Sequence, residues 1–221
     1  MYEQILKLNK SIYVLRKITA FPFKFFEQVI EQHFWELVID SLFETSVMIL
    51  WRIAVDSDKN GLTLKQFKNQ ISLHFLDHAY SKKLKKIIKE RHLNDEIEKI
   101  KIIRHNFIAH MNRKQHIHSN AANLLEDPLE LSDLEKYQKT VNEYFDLLNF
   151  GESFATLPWE YLSENKEDDI DYILDSIVKN SAVFNGPEDN PQLWAGIKDT
   201  LTESQLEILN IYRAKFNLPL V

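Results

Sequence analysis

Seven consecutive residues, Arg104-His105-Asn106-Phe107-Ile108-Ala109-His110, carry the chemistry most readily assembled from this sequence. An arginine offers a permanent cation whose planar fork suits a phosphate. A histidine offers a proton that moves near neutral pH. Arg104 and His110 together contain the parts for metal-free chemistry on a phosphodiester, and His105 and Asn106 add polar groups between them. Arg113, Lys114 and His116 follow at once and are candidate contacts to the substrate phosphates. His118 belongs to the same candidate set.

Spacing complicates that reading. On one ideal helix Arg104 and His110 stand about 120° apart around the axis and about 9 Å apart along it. Asn106 and His110 share a face at i,i+4, and so do His110 and Arg113 at i,i+3. The same residues also suit a polar patch at a helix C-terminus, where the dipole favours His and Arg. Spacing alone leaves both readings open.

Helices must position these groups. Residues 2–18 repeat apolar residues at helical spacing (Ile5, Leu8, Ile12, Leu15) until Pro22 interrupts. From about Phe25 to Val55 apolar residues cover nearly the whole helix circumference, which predicts a central buried helix. Thr63 with Gln66 forms a capping box that opens a helix to about Leu76. A long helical region runs from Lys82 to about Met111, with a weak point at Leu93-Asn94, and ends on the motif. The polar stretch 112–128 reads as a loop. Ser132 with Glu135 reads as a second capping box, before Leu134, Tyr137, Val141, Tyr144, Phe145 and Leu148 hold helical spacing.

Composition shifts at Gly151. Beyond it come a helix from about Asp168 to Lys179, a turn at Asn185-Gly186-Pro187, and Pro191 at a first helical position. A last helix is capped by Thr202 with Gln205 and runs to about Phe216. The pattern predicts an all-α fold: an up-and-down helical bundle over residues 1–150 and a small helical appendage over 151–221. No strand and no internal repeat is expected.

The 221 residues include only 4 glycines, so few breakers interrupt long helices. Hydrophobic residues make up 44% and charged residues 27%, a soluble globular balance. There is no cysteine, which excludes disulfides and thiolate metal sites. The longest strictly apolar run, Val47–Trp51, is far too short to span a membrane. Without a secretory pattern at the N-terminus, the expected location is the cytoplasm. Net charge is −6, but unevenly placed. Ser81–Lys114 holds eleven Lys/Arg against four Asp/Glu, whereas Glu152–Asn190 holds two Lys against ten Asp/Glu. A basic segment on an acidic chain suggests a local anion site. The run Lys82-Lys83-Leu84-Lys85-Lys86 would contribute to it or form only a solvated helix face.

Other motifs weigh less. Asp56-Ser57-Asp58-Lys59-Asn60-Gly61 matches the first half of a calcium loop, but its twelfth position is Phe67 rather than a bidentate Glu. Turn formation accounts for it. His74 and His78 stand at i,i+4 without a third ligand nearby. No metal or other cofactor is expected.

The form Ile103-Arg104-His105-Asn106-Phe107-Ile108-Ala109-His110, near the end of a long helix in an all-α bundle, resembles the HEPN superfamily. It looks closest to the abortive-infection U-type (AbiU-like) group. The layout agrees over roughly residues 1–150: a long early apolar helix, Leu62-Thr63-Leu64 opening the next helix, then the motif helix. Phe107 departs from that group, which usually has a charged residue near this position. The resemblance implies a metal-independent endoribonuclease, a toxin or phage-defence effector working as a homodimer. Two Arg-His motifs would then face each other across a cleft. It implies that Arg104 binds the scissile phosphate, that His110 is general acid or base, and that His105 or Asn106 orients the reacting groups. Implied partners are RNA, a second copy of the chain and an antitoxin protein. The alternative is a non-catalytic helical module that binds a nucleotide, RNA or a protein through the same basic pocket.

Overall fold

The computed structural model describes residues 1–26, 29–54, 63–74, 78–93, 95, 100, 130–150, 156–159, 162, 169–181, 184 and 191–220. Among these residues the secondary structure is helical, with no strand. The fold is all-α. Its elements are α1 (Tyr2–Ala20), α2 (Phe23–Phe26), α3 (Val29–Ala54), α4 (Leu64–His74), α5 (His78–Glu90), α6 (Leu131–Phe150), α7 (Asp169–Asn180), α8 (Pro191–Lys198) and α9 (Glu203–Lys215).

The chain divides into two compact units, residues 1–16 with 40–165 and residues 17–39 with 166–221. In the first unit the expected stripes are the core. Ile5, Leu8, Ile12 and Leu15 of α1 are all buried, as are Leu134, Tyr137, Val141, Tyr144, Phe145 and Leu148 of α6. Leu64 of α4 and Leu84 and Ile88 of α5 bury their side chains, and α4 and α5 both pack on α6. Each such aliphatic side chain contributes about 1.5–3 kcal/mol of transfer free energy. One polar ladder crosses this core. Buried Asn9 donates to Ile5 O (2.8 Å) and to Asn142 Oδ1 (2.9 Å), and it accepts from Gln138 Nε2 (2.6 Å) and Asn142 Nδ2 (2.8 Å). The amide's hydrogen-bonding capacity is thus largely met, and the pairing ties α1 to α6 in one register.

The helix ends follow side-chain chemistry. Thr63 N donates to Gln66 Oε1 (2.7 Å) while Gln66 N donates to Thr63 Oγ1 (3.2 Å), completing the expected capping box of α4. Thr202 and Gln205 do the same for α9. Ser132 does not. Helix α6 begins at Leu131, and Glu130 N donates to Asp133 Oδ2 (3.0 Å), so Glu130 stands at the N-cap with Asp133 accepting its N–H, and Ser132 lies inside the first turn. The helix starts one residue earlier than a Ser132 cap requires, so the Ser132 hydroxyl instead donates to Glu130 Oε2 (3.4 Å). The helix leading toward the motif is interrupted earlier than Leu93-Asn94: α5 stops at Glu90, and His92 adopts φ 52°. A non-glycine residue in that region ends a helix rather than continuing it.

Among the α3 residues whose side chains are described, burial is confined to the second half. Ser46, Val47, Ile49, Leu50, Ile53 and Ala54 are buried, but Phe34 and Leu37 are 59% and 63% exposed. The expectation of a buried helix throughout is therefore corrected. Apolar residues all round a helix state what could be covered, and only neighbouring elements decide what is.

In the second unit Ile170, Leu174 and Val178 form the buried stripe of α7. Tyr212 of α9 meets the rings of Phe21 (6.0 Å) and Phe26 (5.1 Å) edge-on, a favoured aromatic geometry. Lys17 Nζ reaches both carboxylate oxygens of Asp171 at 3.1 Å. Arg213 is fully buried. Its guanidinium donates to Phe184 O (3.2 Å) and Pro219 O, pinning the C-terminal tail against α9.

Candidate nucleic-acid interface

Arg104, His105, Asn106, His110, Arg113, Lys114 and His116 lie outside the described residues, as do His118 and the calcium-like loop at 56–61. The frame on either side of the motif is described. Upstream, Leu84, Ile88, Leu93 and Ile100 are buried. Downstream, α6 begins at Leu131. Arg91, just past the end of α5, bonds to Glu143 of α6, so the two helices that bracket the motif in sequence are tied directly to each other.

The described part of the basic segment is organised. On α5, Lys82, Lys85, Lys86 and Lys89 recur at i, i+3, i+4 and i+7 and are exposed, while Leu84 and Ile88 bury the opposite side. Lys65 and Lys68 stand at i,i+3 on α4, which carries no Asp or Glu. Helix α5 has only Glu90, which lies 3.7 Å from Lys86. The Lys68 ammonium has its pKa lowered, first by burial, then by the charges of Lys65 and Lys85. Lysines from two helices therefore press on one another's charge. The sequence shows the run on α5. That Lys65 and Lys68 share its field follows only from both helices packing on α6.

A second polar feature escaped the sequence reading. Asp146 of α6 is buried, and its Oδ2 accepts from Trp159 Nε1 at 2.9 Å. Its Oδ1 has no hydrogen-bond partner. Burial raises the carboxyl's pKa, opposed by the bonds from Trp159 and from the Leu157 backbone. An aspartate beside a helical apolar stripe gives no sequence signal for this, because its partner comes from a tryptophan beyond Gly151. His74 is the last residue of α4 and His78 the first of α5, and their side chains lie outside the description.

An all-α chain that brackets an Arg-His segment between two packed helices has the layout of a HEPN-type domain. A family model described as AbiU2, of the HEPN type, matches residues 22–173, more than half the chain. The protein belongs to this HEPN AbiU2 family. Comparison with curated proteins and with solved structures finds no match. The matched span contains the whole Arg104–His110 motif, α4, α5 and α6, and it continues past Gly151 into α7. Among the described residues no helix is long and apolar enough to cross a membrane.

Proposed function

We propose that this protein is a metal-independent endoribonuclease acting as a toxin or phage-defence effector, with Arg104 and His110 at its catalytic centre. The observation that carries the reading is the family match, which spans the motif and assigns the chain to an abortive-infection HEPN type. The residue chemistry fits. Arg104 holds the scissile phosphate and stabilises the charge that builds on its oxygens in the transition state. The ribose 2′-hydroxyl attacks phosphorus, its oxygen forming the new bond while the bond to the 5′-oxygen breaks. His110 moves the proton, either taking it from the 2′-hydroxyl or giving one to the leaving oxygen. The products are a cyclic phosphate and a free hydroxyl end. His105 or Asn106 orients the phosphate, and Arg113, Lys114 and His116 hold the flanking strand. The 120° offset of Arg104 and His110 on one ideal helix is resolved in a homodimer whose composite site takes Arg from one chain and His from the other.

Arg104→Ala and His110→Ala are each expected to lower RNA cleavage by at least about a hundredfold, the usual scale of a lost acid–base or charge-stabilising group, with the helical spectrum unchanged. Cleavage should persist in chelator. Purified protein that cleaves no RNA, and whose biological effect survives both substitutions, would sink the catalytic reading. The same site would then be that of a non-catalytic binding module.

A further inference from the structure

We propose that α4 and α5 together form a phosphate-backbone docking surface for single-stranded RNA, built by Lys65 and Lys68 of α4 and by Lys82, Lys85, Lys86 and Lys89 of α5, none of them a residue of the Arg-His motif. The inference rests on the RNA reading above and extends it to the strand beyond the scissile bond.

Three observations carry it. Helix α5 gathers four of its lysines on one exposed stripe and buries Leu84 and Ile88 on the other side, so the charge faces outward as a row. At 1.5 Å per residue, Lys82 to Lys89 extends that row over about 10 Å. Helix α4 adds Lys65 and Lys68 at the Lys85 edge of that stripe, which widens the row into a patch. Finally, the two helices themselves are poor in opposite charge: α4 has no carboxylate, and the one on α5, Glu90, sits at the far end with Lys86.

Packing several ammonium groups into mutual repulsion costs free energy in the unbound protein. A polyanion relieves that cost, whereas a neutral ligand does not. The chain as a whole is acidic at −6, so it repels polyanions elsewhere, which makes the patch directional. RNA fits better than an acidic protein surface, because lysines act as point charges that follow evenly spaced phosphates.

The test uses the full chain and a 2′-O-methyl single-stranded RNA of about twenty nucleotides, which lacks the attacking hydroxyl and reports binding without cleavage. Affinity is measured over a range of salt. Each lysine–phosphate contact to a single strand contributes about 0.7 to the slope of log K against log salt. The Lys65→Gln/Lys68→Gln/Lys85→Gln variant should therefore lose about 2 from the slope and bind roughly tenfold or more weakly at moderate salt. The corresponding triple arginine variant should restore both, and Lys7→Gln/Lys10→Gln on α1 should change neither. The double variant Lys65→Gln/Lys85→Gln spares half-buried Lys68 and should lose about 1.4 should the triple variant fail to fold. An unchanged slope and affinity in the lysine variants overturns the proposal. So does polyglutamate competing as well as RNA at equal charge, which would make the ligand an acidic protein. A wild-type chain that binds this RNA through the lysines but cleaves no natural RNA would keep the docking surface and discard the nuclease.

Discussion

Asp146 shows how much one side chain's surroundings decide. Its carboxylate has one oxygen on Trp159 and the other without a partner, so burial makes the charged form costlier in the folded protein than in the unfolded chain. Its folded pKa lies above the unfolded value of about 3.9. The stability linked to this group is thus fully present below that value and is lost as pH rises through the raised folded pKa. Asp146→Asn keeps an oxygen for Trp159 and carries no charge. Its urea midpoint relative to wild type should rise as pH increases through that window and be least changed below it. A difference that stays constant with pH would refute the assignment. Tyr144, buried beside it in sequence, has its phenol pushed up to about 12 by burial alone and stays neutral throughout that range.

At the scale of the element, caps and stripes were the most readable features, and their one failure is instructive. Thr63 and Thr202 cap α4 and α9 by the pattern their sequences announce. Ser132 has the same pattern but lies inside the first turn, where its hydroxyl donates to Glu130 Oε2, while Asp133 accepts from Glu130 N. Thr63→Ala and Thr202→Ala should each cost about 1 kcal/mol in chemical unfolding. Ser132→Ala should stay within about 0.5 kcal/mol. A loss at Ser132 equal to that at Thr63 would show that the hydroxyl, rather than Asp133, holds the first turn of α6. The weak point expected near Leu93-Asn94 falls slightly earlier: α5 stops at Glu90, and His92 at φ 52° ends the helix there.

For the whole molecule the decisive question is whether two chains build one site. If each site joins Arg104 of one chain to His110 of the other, the Arg104→Ala and His110→Ala proteins, each inactive alone, complement on mixing. Random exchange makes half the dimers mixed, each with one intact site, so activity should return to about a quarter of wild type. A mixture that forms mixed dimers but stays inactive would place the whole site within a single chain. The family match makes this a question about a HEPN-type domain rather than about an arbitrary helical bundle.

Local chemistry was legible from the sequence alone. Periodicity placed the buried stripes of α1 and α6, caps placed the starts of α4 and α9, and the Arg104–His110 spacing pointed to the family that the match shows. These depend on residues within a turn or two of each other, where backbone geometry dictates who meets whom. Tertiary structure alone decided the rest. Only packing exposed Phe34 and Leu37 on an apolar helix, buried Arg213 against Phe184, and gave Asp146 a tryptophan from beyond Gly151. Only the shared contact with α6 set the lysines of α4 into the field of α5. Each joins residues far apart in the chain, and no local periodicity encodes which distant surfaces will meet.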